Sequence, residues 1–198
     1  MRKSKKPQVK TPRPYLSWSQ LNLWERDKEL YRRTYIDGLK QFENVYLKTG
    51  KALADRLETG IKTDNKMIEY LALMLPKYPK VEFEIRANFK GIPVLGRLDC
   101  YDPKKRIVGE IKTGKNWSQG MVDKSGQLTF YAMLVWLKTK KLPSKIRLHW
   151  AKTKLDSDGD LQIVGDIKTF YTTRSISDII LMYGRVKKCW SEIIKMCN

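Results

Sequence analysis

The chain reads as an α/β protein in which helices flank a central sheet, and three observations carry that reading. Val81, Phe83, Ile85, Ala87 and Phe89 alternate with Glu82, Glu84, Arg86 and Asn88, the period of a half-buried strand. Turn signals at Lys90-Gly91 and at Asp102-Pro103-Lys104-Lys105 fold this strand and residues 92–112 into a three-stranded meander. Before and after this meander, apolar residues recur at helical spacing instead.

Residues 1–14 carry six basic residues, three prolines and no acid, so a disordered tail is expected there, with a single domain over 15–198. Ser17 can cap a helix, Gln20 can complete its capping box and Leu16 can staple onto Leu21. Leu21, Trp24, Tyr31 and Tyr35 continue that one helix to a stop at Asp37-Gly38. A second helix is expected over residues 50–58 and a third over 67–75, where Pro76 ends it.

The meander strands are expected at residues 81–89, 92–101 and 106–112, with a loop over 113–120 and then a helix beginning at Ser125. A strand over 146–152, a polar tip at residues 156–160 and one further strand to about Thr172 come next. The closing helix, about residues 177–196, has Ile179, Tyr183, Val186, Trp190 and Ile193 on its buried stripe. The Asp-Ser-Asp-Gly-Asp run at 156–160 lacks the Gly at position 6 and the Glu at position 12 of a calcium loop, so it is read as a turn.

Composition narrows the chemistry. Forty Lys and Arg against 21 Asp and Glu leave a formal charge of +19, which points to a polyanionic partner, nucleic acid before a membrane surface. No apolar run is long enough to span a bilayer, so a soluble protein is expected. Cys100, Cys189 and Cys197 form no Cys-x-x-Cys pair and read as reduced thiols of a cytoplasmic protein. The lone His149, in an apolar strand, reads as a structural residue and removes most histidine-dependent hydrolytic chemistry. A reaction here must run on carboxylates, lysine and a hard metal.

Asp99 and the Glu110-Ile111-Lys112 triplet supply those groups. Strand period places Glu110 and Lys112 on one face, and two acids on adjacent antiparallel strands can converge on one ion. Oxygen ligands suit Mg2+ or Mn2+. Lys112 can orient or help deprotonate a water, its pKa either lowered by burial or held high by the acids. Gln127 and Tyr131, spaced i and i+4, share a helix face, and Glu58 shares one with Ala54.

Taken together, Ser17-x-Ser19-Gln20-Leu21, Gly50-x(7)-Glu58, Gly96-Arg-Leu-Asp99, Glu110-Ile-Lys112-Thr-Gly114 and Gln127-Leu-x-x-Tyr131-Ala132 resemble the PD-(D/E)XK nucleases, in particular the RecB-type exonuclease branch that includes phage and CRISPR-adaptation nucleases. The resemblance implies a restriction-endonuclease-like core, a central mixed β-sheet flanked by helices. It implies that Asp99, Glu110 and the Ile111 carbonyl bind metal and that Lys112 acts on the attacking water. Ser19, Gln20, Lys115, Gln127 and Tyr131 would then contact substrate. The implied activity is a Mg2+- or Mn2+-dependent deoxyribonuclease acting on single-stranded DNA or duplex ends and leaving 5'-phosphates, as in repair or recombination.

The chain departs from that family in two ways. The family's usual metal-binding His position holds Ala54, so either Glu58 supplies the missing ligand, or one metal site is weakened, or the protein is a catalytically degenerate nucleic-acid binder of the same fold. The three cysteines also lack the spacing of the branch that carries iron–sulfur clusters, so no cluster is expected.

Overall fold

The structure is a computed structural model and describes residues 11–39, 43–114 and 116–197. Most of the basic tail and Lys115 lie outside the described residues. The element order is α1 Trp18–Arg26, α2 Lys28–Tyr35, α3 Val45–Thr59, α4 Lys66–Met74, β1 Lys80–Phe89, β2 Ile92–Asp102, β3 Ile107–Gly114, α5 Gln119–Asp123, α6 Gly126–Thr139, β4 Lys145–Leu155, β5 Leu161–Ile163, β6 Lys168–Thr172 and α7 Ile176–Cys197. No helix of the described residues is long and apolar enough to cross a membrane.

The meander forms as expected: β1 pairs with β2 and β2 with β3, both antiparallel. β3 then runs parallel to β4 across the α6 connection, and β4 pairs antiparallel with β5 at one end and β6 at the other. The sheet is therefore mixed, with six strands and helices against it. A main core joins Leu21, Trp24, Tyr31, Ile85, Leu98, Val108, Phe130, Leu134, Ile146, Val186 and Ile193 from helices α1, α2, α6 and α7 and the sheet. A smaller cluster holds Leu53 of α3, Ile68 and Leu71 of α4 and the following Leu75 against Ala151, with Ile111 packed on it. Burying these apolar surfaces stabilises the assembly by roughly 25 cal/mol per Å² removed from water.

Three expectations are corrected. The first helix is two, because Asp27 adopts an extended conformation and serves at once as the end of α1 and the N-cap of α2, its carboxylate accepting the Leu30 N–H at 2.8 Å. The last expected strand is two short ones: Gly165 at φ 77° breaks the run between β5 and β6, which pair with different stretches of β4. The loop after β3 contains the short helix α5, capped by Ser118. The 156–160 segment is a turn, with Asp156 accepting the N–H groups of Asp158 and Asp160.

Candidate functional site

Asp99 and Glu110 meet where β2 and β3 part. Their last ladder pair is Cys100 with Gly109, so Asp99 and Glu110 occupy the next row, beyond the pairing. There the Asp99 side chain replaces the missing ladder bond, its Oδ2 accepting the Ile111 N–H at 2.8 Å. The fork opens a cavity of about 220 Å³, lined by Asp99, Glu110, Ile111, Lys112, Thr113 and Gln127 from one side and by Gly50, Leu53, Ala54 and Leu57 of α3 from the other. Glu82 of β1 completes the wall.

Glu110 is 1% exposed. One of its oxygens, Oε1, lies 2.6 Å from the Lys112 ammonium, while the other, Oε2, is buried and has no hydrogen-bond partner among the described residues. A buried carboxylate oxygen left bare is costly, and a cation is one of few groups that can satisfy it. Burial pushes the Asp99 carboxyl well above its ordinary range, and the nearby Glu110 charge pushes the same way, against the Ile111 N–H and Lys112. Burial alone would lower Lys112, but the charge and hydrogen bond of Glu110, with Asp99, outweigh it and hold the ammonium above its usual pKa. The acids therefore decide the protonation of Lys112.

Gln127 and Tyr131 reach this site because α6 lies close on β2. Gly96 makes that approach possible: a Cβ there would run into the fully buried Leu134, with the Tyr131 ring next in line at 3.5 Å. Gln127 Nε2 donates to the Tyr131 hydroxyl at 3.0 Å. That hydroxyl is held well above its ordinary pKa by burial and by the charges of Glu110 and Asp99.

The other candidates stand elsewhere. Glu58 is exposed and does not line the cavity. Gln20 is buried and internally satisfied, accepting from the Tyr31 hydroxyl at 3.1 Å and donating to the Tyr15 carbonyl at 3.0 Å. Ser19 is exposed and bonded to Ser17 at 3.0 Å. His149 is tied on both nitrogens, to the Tyr78 hydroxyl at 2.8 Å and Thr169 at 2.9 Å, a structural role. Cys100, Cys189 and Cys197 are free thiols.

Glu82 is the cavity residue that sequence reading passes over. It falls on the polar side of the alternating strand, where Glu84 and Arg86 are ordinary rim charges, and only the strand register reveals its position beside Asp99. Burial raises the Glu82 carboxyl above its usual range, Arg97 opposes this, and Glu58, Glu110 and Asp55 add to it.

The two carboxylates, with one oxygen unsatisfied among the described residues, fit a hard divalent cation that keeps part of its water shell. Among the described residues, no three His, Cys, Asp or Glu side chains form a ready-made cage.

No family model and no curated protein sequence matches the chain. By fold it is similar to a proposed exonuclease of Eubacterium rectale, with a TM-score of 0.60 and 13% identity over 92% of this chain and 80% of that one. It is also similar to a phage-related exonuclease of Haemophilus somnus 129PT, with a TM-score of 0.54 and 15% identity over 87% of this chain and 81% of that one. The likeness is one of fold: a mixed sheet flanked by helices.

Proposed function

We propose that the chain is a Mg2+- or Mn2+-dependent DNA nuclease of the PD-(D/E)XK superfamily, RecB-type branch, which hydrolyses phosphodiester bonds at single strands or duplex ends and leaves 5'-phosphates. The observation that carries this reading is the buried Glu110 carboxylate, with one oxygen on Lys112 and the other bare, in a cavity shared with Asp99. Two fold neighbours described as exonucleases and the charge of +19 support it.

Asp99, Glu110 and the Ile111 carbonyl would hold the ion. Such an ion would supply a water of lowered pKa and positive charge for the phosphate under attack. Lys112, held as an ammonium by Glu110, would orient the attacking water and steady the developing charge rather than remove a proton at rest. Gln127, at the cavity edge and bonded to Tyr131, is placed to position the substrate backbone. Lys115 and Ser19 would bind further along the substrate, while Gln20, buried and bonded to Tyr15 and Tyr31, would shape α1 without touching DNA.

A Mg2+-dependent cleavage assay on linear and circular DNA tests this reading. Loss of cleavage in Asp99→Ala and Lys112→Ala is expected, and unchanged cleavage in both would overturn it. A second reading, a degenerate nucleic-acid binder, draws on Ala54 facing the cavity with no donor atom. It requires DNA binding without turnover.

A further inference from the structure

We propose that Glu82 is a third carboxylate of the cation site, resting against Arg97 until a divalent ion enters and then turning to accept hydrogen bonds from that ion's water shell. The proposal rests on the reading of Asp99 and Glu110 as a divalent-cation site and adds a ligand that the motif residues do not include.

The register carries the argument. Pairs Val81 with Cys100 and Phe83 with Leu98 bracket Glu82 against Asp99, and the pair Cys100 with Gly109 brings Glu110 into the same row. Three acids thus stand in line across β1, β2 and β3. Paired strands lie about 4.8 Å apart, and the paired rows on either side of Glu82 keep β1 at that spacing from β2 next to Asp99.

The chain departs from regular strand at the same point. Glu82 has φ 48°, a left-handed conformation that residues with a side chain rarely adopt, and the ladder pair between Glu82 and Asp99 is missing. The Glu82 side chain is only 15% exposed, and its closest cation, Arg97, is 3.9 Å away, the outer limit of an ion pair. Among the described residues, no hydrogen bond holds its carboxylate, so it is free to change partner.

The need for a cation at this place is signalled independently by the bare Oε2 of Glu110, in a residue 1% exposed. Gly50 and Ala54, which line the same cavity as Glu82, leave room and supply no side-chain donor. Mg2+ and Mn2+ retain several waters, so an acid outside direct bonding reach still acts on the ion through them. Among the described residues, no three acids form a ready-made cage, as expected if Glu82 acts through the waters of the ion.

The test is Mn2+ titration of the full chain, monitored by calorimetry and by the loss of free-ion electron paramagnetic resonance signal. Glu82→Gln is expected to weaken Mn2+ binding about 10-fold or more, the usual cost of losing an outer-shell ligand. Glu84→Gln removes the same charge 4.0 Å from the same Arg97 but outside the cavity, and is expected to leave affinity unchanged. Asp99→Asn is expected to abolish binding. Wild-type affinity in Glu82→Gln, or equal weakening in Glu84→Gln, would overturn the proposal while Asp99→Asn still upholds the site. Failure of the wild type to bind Mn2+ would overturn both. If Glu82→Gln does not fold, Glu82→Asn serves, because Asn tolerates left-handed backbone and carries no charge.

Discussion

Lys112 and Glu110 form a half-satisfied pair: the ammonium lies 2.6 Å from one carboxylate oxygen, and the other oxygen, sealed from solvent, has no partner among the described residues. A pair meant only to stabilise the fold would satisfy both oxygens, since a buried lone pair left bare costs on the order of 1–3 kcal/mol. The arrangement is poised for a positive charge that the described residues do not supply.

Removing Lys112 tests its share of the chemistry. Lys112→Met keeps much of the apolar stem and is expected to lower cleavage by about 10²- to 10⁴-fold, the range for a positioned group acting on proton transfer and charge. Mn2+ binding is expected to survive, because the ammonium competes with the cation for Glu110. Equal cleavage rates in single-turnover assays of Lys112→Met and wild type would contradict this role.

Asp99 is expected to trade stability for function. Its folded pKa is raised, so the ionised form is disfavoured in the native state, and the metal-free protein loses stability from this group as pH rises through that raised value. Asp99→Asn keeps an acceptor for the Ile111 N–H without the charge. In chelator at about pH 8, above the ordinary carboxylate range, its melting temperature should equal or exceed that of the wild type, with the gap closing below that range. Added Mn2+ should stabilise the wild type and not the variant.

His149 sets an acid limit on the fold. It is 1% exposed, and burial, with Arg147 nearby, lowers its pKa to about 4. The unfolded chain therefore binds a proton that the native state refuses, and stability falls as pH drops from about 6.5 toward 4, by about 3 kcal/mol in all. Thermal melts across that window measure the slope. In His149→Gln the slope should flatten.

Gly96 links packing to the site. Gly96→Ala presses a methyl group into the fully buried Leu134 side chain, which must shift within the core, at a cost of about 1–3 kcal/mol. Because α6 carries Gln127 and Tyr131, cleavage should fall further than Mn2+ affinity. Parallel denaturation, Mn2+ titration and rate measurements separate the two effects.

Much of the fold is legible from residue order. The alternation in β1 and the two turn signals specify the meander, and the acids on neighbouring strands are brought to one fork. Asp27 is hidden because the apolar spacing continues unbroken through it, and only its extended backbone shows a helix ending and another beginning. Gly165 is hidden in the same way between β5 and β6. Glu82 is illegible for a deeper reason: its place beside Asp99 comes from register and a left-handed backbone, which a two-residue period does not encode.

The most direct measurement is anomalous diffraction from a crystal soaked in Mn2+. A single strong peak within metal–oxygen bonding distance of both Asp99 and Glu110, with Oε2 of Glu110 among its ligands, is the result predicted. A fully soaked crystal with no peak between these two carboxylates would contradict the account.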